Sequence, residues 1–216
     1  VLTPEQLRAY EDMKTMALAL FEQGMTTTVN ALTQLMRLHQ ITCGHTKLDD
    51  GTEINIPTNR VTEMMSVIEE TSGKVIIWAG YRHDIESIKL ALQKEYGMAA
   101  VGTYYGDTDD EERRRVVREF QDIDSELRFF VGNPRTGGYG LTLTAASTVV
   151  YFSNSFDLEV RLQSEDRAHR IGQTKSVTYV DLFVAGTIDE KIVKALRAKI
   201  DIANEVLGEE MKNWLI

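Results

Sequence analysis

The chain has 216 residues and is 43% hydrophobic, which is enough for one sizeable core with a small appendage. Its formal net charge of −9 argues against binding nucleic acid by general attraction, so any such contact has to come from local groups. The single cysteine, Cys43, excludes an internal disulfide and indicates a reducing compartment.

The hydropathy pattern and the N-terminus give no sign of membrane insertion or secretion. No apolar run reaches the length of a membrane span, and the first residues lack the basic-then-apolar pattern of a secretory signal. We therefore expect no membrane partner. The chain begins at Val1 rather than Met, which predicts a fragment of a longer protein.

The N-terminal part, roughly Leu2 to His45, is predicted to be helical. Thr3-Pro4-Glu5-Gln6 is typical of a helix start, because a hydroxyl caps the helix and proline fits its first turn. A second helix is predicted over Val29–Ile41, which carries a broad apolar face. The polar stretch Thr46–Thr58 is predicted to be a loop.

Helices and short apolar strands alternate over the rest of the chain. The predicted helices are Asn59–Glu70, Asp84–Tyr96, Asp109–Phe120, Leu158–His169 and a long terminal helix from Ile188. The predicted strands are Lys74–Ala79, Met98–Tyr104, Leu127–Val131, Thr148–Phe152 and Val177–Phe183. Such alternation predicts an α/β fold, in which a parallel sheet is covered by helices on both faces.

A glycine-rich stretch, Gly132–Leu143, follows one of these strands directly. A strand that leads into such a loop suggests a ligand approached by the backbone. Gly138 and Tyr139 stand where a P-loop needs lysine and a hydroxyl residue, which excludes that motif. A dinucleotide fingerprint fails as well. The loop alone is equally compatible with a tight connection at the carboxyl edge of the sheet.

Neither Asp-Glu pair follows an apolar strand, where a magnesium-holding carboxylate is expected. The pairs are Asp110-Glu111 and Asp189-Glu190, and both stand where helices are predicted to begin. Carboxylates there favour the positive end of the helix dipole. We therefore predict that these pairs start helices, and we predict no metal ligand in this chain.

The polar segment Gln163–Gln173 reads QSEDRAHRIGQ. On a helix, Gln163, Arg167 and Arg170 occupy positions i, i+4 and i+7 and share one narrow stripe. Guanidinium groups match phosphate oxygens in geometry and stay charged in any environment. The stripe therefore predicts a phosphate-binding face at the ligand-binding edge of the sheet.

The neighbours of the stripe allow a second interpretation. Glu165 and Asp166 are predicted to orient the arginines. The alternative is a solvated helix face with ordinary i to i+4 pairs, such as Asp166 with Arg170. His169 alone is more typical of a structural histidine than of a base.

This segment resembles motif VI of the Swi/Snf-type ATPases of helicase superfamily two, almost letter for letter. Further similar stretches follow in the family's order: Lys74–Tyr81 (motif IV), Tyr105–Thr108 with Glu112-Arg113 (the Gly-Ser/Thr segment and its Glu-Arg), Arg135–Leu143 (motif V) and Leu35–His45 (the helix before the second lobe). The resemblance covers nearly the whole chain. Asp107 departs from the pattern, because a hydroxyl residue is usual there, and so does Pro134, which has no backbone donor.

The resemblance implies the C-terminal, second RecA-like lobe of an ATP-driven double-stranded DNA translocase. It divides the chain into a helical insertion or extension (1–58), the lobe itself (59–200) and a C-terminal brace helix (201–216). ATP would bind between this lobe and the N-terminal RecA-like lobe of the same protein. The P-loop and the Mg²⁺ ligands would lie on that first lobe. The location would be cytoplasmic in a bacterium or phage host, or nuclear in a eukaryote.

The resemblance also implies roles for individual residues. Arg167 and Arg170 would be catalytic arginine fingers. The ATP-binding set would be Gly138, Gly140, Gln163, Arg167 and Arg170. The DNA-binding set would be Thr108, Arg135, Thr136 and Gly137.

Two rival functions remain at this stage. One is a catalytically inactive regulatory or binding module that keeps the RecA-like fold. The other is a parallel-sheet nucleotide or redox enzyme that uses the glycine loop, and it predicts tight nucleotide binding by this chain alone.

Overall fold

The computed structural model describes residues 1–23, 28–48, 50–136, 141–169, 176–200 and Trp214. The chain divides into two compact units. The first, called the helical unit here, comprises Val1–Arg60, Phe156–Leu158 and Phe183–Ile216. The second, the sheet unit, comprises Val61–Ser155 and Glu159–Leu182.

The helical unit begins with α1 (Pro4–Glu22) and α2 (Thr28–Cys43). The predicted start of α1 is confirmed by a capping box: the Gln6 amide donates to Thr3 Oγ1 at 3.2 Å, and the Thr3 amide donates to Gln6 Oε1 at 3.1 Å. This exchange satisfies two backbone donors that the first turn of the helix would leave without partners.

The predicted loop over Thr46–Thr58 is wrong in part. It contains a short antiparallel hairpin of β1 (His45–Lys47) and β2 (Glu53–Asn55). Gly51 has a φ of +88°, and the Thr52 amide donates to Asp50 Oδ1 at 2.8 Å, so Asp50 and Gly51 lie at the tip of this hairpin. Strands of three residues are too short to show an alternating pattern.

The helical unit is completed by α7 (Ile188–Arg197), whose apolar face packs with α1 and α2. The predicted helix start at Asp189-Glu190 is confirmed, with Thr187 Oγ1 accepting from the Asp189 amide. Asp189 is also fully buried, and its carboxylate lies 2.6 Å from Arg60 Nη1 and 3.3 Å from His39 Nε2. The predicted brace over 201–216 lies outside the described residues except for Trp214.

The sheet unit contains the predicted parallel sheet. Its helices are α3 (Arg60–Glu69, with Arg60 in the helical unit), α4 (Arg82–Tyr96), α5 (Asp110–Gln121) and α6 (Leu158–Ala168, with Leu158 in the helical unit). Its strands are β3 (Lys74–Trp78), β4 (Val101–Tyr104), β5 (Phe129–Gly132), β6 (Ala146–Tyr151) and β7 (Thr178–Asp181). All pairings are parallel, in the order β4-β5-β3-β6-β7. Residues 98–100 form a 3₁₀ turn, so the strand predicted from Met98 begins at Val101.

Alternate residues of the central strand β3 point to two separate cores, as the pleat of a strand requires. Val75 and Ile77 pack with residues of α3 and α4. Ile76 and Trp78 pack with residues of α5 and with Ala168 of α6. The sheet is therefore covered on both faces, which confirms the predicted RecA-like α/β architecture. No helix among the described residues is long and apolar enough to cross a membrane.

Candidate functional site

The carboxyl ends of the parallel strands meet at one edge of the sheet, where polar residues from several strands are joined. Beyond β3, the Gly80 amide donates to Ser153 Oγ at 2.8 Å, and Ser153 follows β6. Ser153 Oγ donates in turn to Asp84 Oδ2 at 2.7 Å. Asn133, which follows β5, donates from Nδ2 to the Gly80 carbonyl at 3.1 Å. These bonds fix the loops relative to one another.

Gly132, the last residue of β5, stands where the fold has no room for a side chain. A Cβ at this position would lie 2.7 Å from the Tyr104 carbonyl oxygen and 3.1 Å from the Trp78 ring. This close approach explains why the stretch begins like a P-loop: its first glycine serves sheet packing.

The segment after Gly132 forms a tight turn. The Thr136 amide donates to the Asn133 carbonyl at 3.0 Å, and the Arg135 amide donates to Asn133 Oδ1 at 2.8 Å. Pro134 is buried, whereas the exposed Arg135 donates from Nη2 to Ser155 Oγ at 3.2 Å. Of the predicted glycines, Gly137, Gly138 and Gly140 lie outside the described residues.

Thr108, a predicted DNA contact, lies in the turn between β4 and α5. Its hydroxyl accepts from the Tyr105 amide at 3.3 Å and donates to the Thr103 carbonyl at 3.4 Å. The side chain is only 9% exposed, so the hydroxyl shapes its own turn. A ligand at this position would meet mainly the exposed neighbours Gly106 and Asp107.

Arg167 lies near the carboxyl end of α6 and is 5% exposed. Its guanidinium carbon lies 5.4 Å from the centre of the Trp78 ring, and Nη1 donates to the Thr136 carbonyl at 3.4 Å. Its own carbonyl accepts from the Leu143 amide at 2.8 Å. Arg167 is thus bonded to the chain on both sides of the glycine loop. Burial lowers the pKa of Arg167, although an arginine remains charged at neutral pH.

Arg161, six residues earlier in α6, is a site residue that the sequence did not reveal. Its guanidinium lies 3.5 Å from the centre of the Tyr151 ring. Nη1 donates to Asn154 Oδ1 at 2.7 Å and also to Asp181 Oδ1, while Nε donates to Glu165 Oε1 at 2.6 Å. These contacts connect α6 to the ends of β6 and β7 and so fix the helix at this edge.

Hydrogen bonds next to Arg161 also hold the buried face of α6 against β6. Tyr151 Oη and Ser164 Oγ share a hydrogen bond of 2.8 Å, and Ser164 Oγ donates to the Arg161 carbonyl at 2.7 Å. Burial by itself lowers the pKa of Arg161, but Tyr151 and Asp181 raise that pKa overall. The charge of Arg161 is therefore satisfied inside the fold.

The remaining residues of the predicted stripe differ in their surroundings. Gln163 is half-buried and donates to Glu159 Oε1 at 2.8 Å. Glu165 was predicted to orient Arg167 and Arg170, whereas its carboxylate pairs with Arg161. His169 is exposed at the end of α6. Arg170 lies outside the described residues, so the alternative pair of Asp166 with Arg170 is not described either.

Polar residues at the carboxyl ends of strands were the signal that could have found the missed positions. Asn133 directly follows the buried strand β5, Ser153 and Asn154 follow β6 after Phe152, and Asp181 is the last residue of β7. In open α/β sheets this is the place where ligand-binding loops begin. The i to i+4 spacing of Arg161 and Glu165 was a second signal.

Comparison with known proteins identifies the domain. Residues 58–172 match the family model of the helicase conserved C-terminal domain, which is more than half of the chain. The match includes the whole of α6 and every strand of the parallel sheet except β7.

Two curated relatives show how much of a larger protein the chain represents. The chain is 38% identical over 122 residues to the human chromatin-remodeling ATPase INO80, covering 55% of this chain and 8% of that protein. It is 30% identical over 199 residues to the candidate ATP-dependent helicase/translocase YwqA of Bacillus subtilis (strain 168), covering 89% of this chain and 21% of that protein. The chain therefore spans about a fifth or less of the length of these relatives.

Solved structures give the same result over nearly the whole chain. The Sulfolobus solfataricus SWI2/SNF2 ATPase core in complex with dsDNA is similar with a TM-score of 0.77 and 26% identity, covering 100% of this chain and 48% of that one. The SWI2/SNF2 ATPase core domain of the same organism is similar with a TM-score of 0.70 and 29% identity, covering 96% of this chain and 43% of that one. The chain thus belongs to the helicase conserved C-terminal domain family and is homologous to the C-terminal lobes of Swi2/Snf2-type ATPases.

Proposed function

We propose that the chain is the C-terminal motor lobe of an ATP-dependent double-stranded DNA translocase. It would supply Arg167 and Arg170 as arginine fingers to an ATP site that the N-terminal RecA-like lobe of the same protein completes. The relatives described as ATPases or helicase/translocases, and the neighbour solved with dsDNA, support this assignment.

The observation that carries the proposal is the placement of Arg167. Its bonds to Thr136 and Leu143 join the two stretches that resemble motifs V and VI at the carboxyl edge of the sheet. Burial lowers the pKa of Arg167, so an incoming phosphate would stabilise a charge that the fold itself disfavours. A guanidinium also presents the fork that phosphate oxygens accept.

The donor set of this edge fits the phosphates of ATP but not its metal. Arg167 offers charged N–H donors, and the half-buried Gln163 adds an amide on the same helix. The carboxylates Asp84 and Asp181 are already engaged by Ser153 and Arg161. We therefore assign the Mg²⁺ ligands to the first lobe. Bound Mg²⁺·ATP supplies the phosphoryl group and a cation that neutralises part of its charge.

In this mechanism the chain contributes charge and position. Arg167 and Arg170 would stabilise the negative charge that develops on the transferred phosphoryl group, which elsewhere is worth about 10³ to 10⁵ in rate. The buried network of Arg161 would hold α6 rigid, so that the fingers are presented without further reorganisation.

The DNA-facing part of the proposal uses the loops beyond β4 and β5. Arg135 is exposed, and the carbonyl of Thr136 is bonded to Arg167, so the proposed DNA contact and ATP contact share one loop. With Gly137 and the turn of Thr108, this loop would track the DNA backbone. Cycles of ATP-driven closure between the lobes would then move the protein along the duplex without separating its strands.

The first test uses the 216-residue chain alone. We expect negligible ATP hydrolysis in a steady-state assay with Mg²⁺ and duplex DNA, because the P-loop lysine and the metal ligands would belong to the other lobe. Robust Mg²⁺-dependent hydrolysis by the purified chain would contradict the shared-site proposal. Tight nucleotide binding by the chain alone would support the rival nucleotide enzyme instead.

The second test uses the complete protein with Arg170→Ala. We expect DNA-stimulated ATP hydrolysis to fall by about 10³-fold, with DNA binding largely retained, because the finger acts on the transition state. Turnover near the wild-type value would show that the assignment of Arg170 is wrong. Equal loss of turnover and DNA binding would point to a structural role.

A further inference from the structure

An exposed ion pair lies at the same edge of the sheet as the proposed DNA contacts. Arg82 Nη1 lies 2.5 Å from Asp107 Oδ2, and the two side chains are 70% and 49% exposed. Arg82 is the first residue of α4, and Asp107 lies in the turn after β4, next to Thr108.

The fold gains little from this pair. A cation at the start of a helix opposes the positive end of the helix dipole, so α4 does not favour Arg82 there. Ion pairs as exposed as this one contribute little to stability, because water screens them. Other hydrogen bonds also hold the turn: Arg113 Nη2 donates to the carbonyls of Tyr105 and Gly106 at 2.8 and 3.1 Å. Tyr105 Oη additionally donates to a carboxylate oxygen of Glu86 on α4.

The other acidic groups near the turn are engaged within the protein. Asp109 Oδ1 caps α5 by accepting from the Glu111 and Glu112 amides at 3.0 and 2.9 Å. Asp110 lies 3.4 Å from Arg113 Nη1. Asp107 is therefore the acidic group of this turn that pairs with Arg82, at the position where the family pattern has a hydroxyl residue.

We propose that Arg82 binds a phosphate of duplex DNA, and that Asp107 holds Arg82 by an ion pair that the phosphate displaces. The inference rests on the proposed function and adds a DNA contact and its competitor. Binding would exchange one anionic partner of the guanidinium for another. Asp107 would lower DNA affinity both by occupying Arg82 and by repelling the backbone, which gives a physical role to its departure from the pattern.

The experiment measures binding of a fluorescently labelled DNA duplex to the 216-residue chain by anisotropy at several salt concentrations. For Arg82→Gln we expect the Kd to rise roughly tenfold at low salt. The slope of log K against log salt should become shallower by about 0.9, as expected for the loss of one phosphate contact. Asp107→Asn should tighten binding, and most of that gain should vanish in the double variant with Arg82→Gln.

Lys94→Gln is the matched control. Lys94 is exposed on the same helix α4, about 18 Å from Arg82 along the helix axis, and its substitution changes the net charge by the same amount. The proposal expects only a small general charge effect from this control. Urea midpoints of all variants, measured alongside, verify that each is folded.

The outcomes separate the two proposals. If the wild-type chain binds duplex and Arg82→Gln behaves like Lys94→Gln, the Arg82 inference is overturned while the DNA-binding proposal stands. If Asp107→Asn raised DNA affinity equally with Arg82 and with Arg82→Gln, Asp107 would act only by repelling the DNA backbone. That result would overturn the displaced ion pair. If the wild-type chain binds no duplex at low salt, the DNA-binding part of the proposed function fails, and the inference fails with it.

Discussion

Two buried arginines lie six residues apart on α6 and are held in opposite ways. Arg161 lies near the start of the helix, where its guanidinium bonds Asp181, Asn154 and Glu165 and packs against the Tyr151 ring. Arg167 lies near the end of the same helix, against the Trp78 ring and bonded to the Thr136 carbonyl. One helix thus carries one arginine enclosed by carboxylates and one bonded to the chain on both sides of the glycine-rich stretch.

The pKa of Arg161 is raised and the pKa of Arg167 is lowered, which reflects their different surroundings. Burial lowers the pKa of both residues, but Tyr151, Asp181 and Glu165 reverse the effect for Arg161. The protein therefore stabilises the charge of Arg161, whereas it carries the charge of Arg167 at a cost. Such a cost is typical of groups that act on a ligand, because the ligand repays it on binding.

The largest expected effect on stability is that of Arg161→Ala. Removing the guanidinium leaves Asp181 and Asn154 without this donor, and loss of one partner of a buried ion pair typically costs about 3–5 kcal/mol. The free energy of unfolding of the 216-residue chain in urea measures this loss. Arg167→Ala is the comparison variant, for which we expect a smaller loss, because the described carboxylates that surround Arg161 keep their partner. Equal losses for the two variants would remove the distinction between them.

The helical unit contains a second buried arginine that is paired with a carboxylate, Arg60 with Asp189. Although burial by itself raises the pKa of Asp189, Arg60 and His39 hold this pKa below its ordinary value. Because the folded pKa is depressed, the carboxylate contributes stability above its unfolded pKa of about 3.9 and loses it as the pH falls through the folded pKa. We expect urea midpoints of the wild-type chain to decline below about pH 4.

The control for this pH dependence is Asp189→Asn, which removes the titrating group. It should lower stability at neutral pH, because Arg60 loses its buried carboxylate partner, and it should flatten the decline at acid pH. An unchanged acid profile in the variant would show that other carboxylates dominate it.

The smallest expected effect is that of Glu165→Gln. The Glu165 side chain is 35% exposed, so water already screens its pair with Arg161, and exposed ion pairs are worth about 0–1 kcal/mol. The loss should be clearly smaller than that for Arg161→Ala in the same urea series. A loss as large as that for Arg161→Ala would place the energetic centre of the network at Glu165 rather than at Asp181.

The sequence predicted one of these arginines and missed the other for a physical reason. Arg167 lies in a contiguous polar motif whose helical spacing can be read directly. The contact of Arg161 with Asp181 joins residues 20 apart, and only the parallel pairing of β6 with β7 brings them together. The alternation of apolar strands and amphipathic helices was sufficient for the sheet, whereas the three-residue strands of the β1–β2 hairpin carried too little pattern to be found.

ATP turnover of the complete protein with Arg167→Lys tests whether Arg167 is an arginine finger. Lysine keeps the positive charge but lacks the planar fork of a guanidinium. We expect DNA-stimulated kcat to fall by about 10³-fold while DNA affinity and urea stability stay near wild-type values. Turnover within a few-fold of the wild type would contradict it.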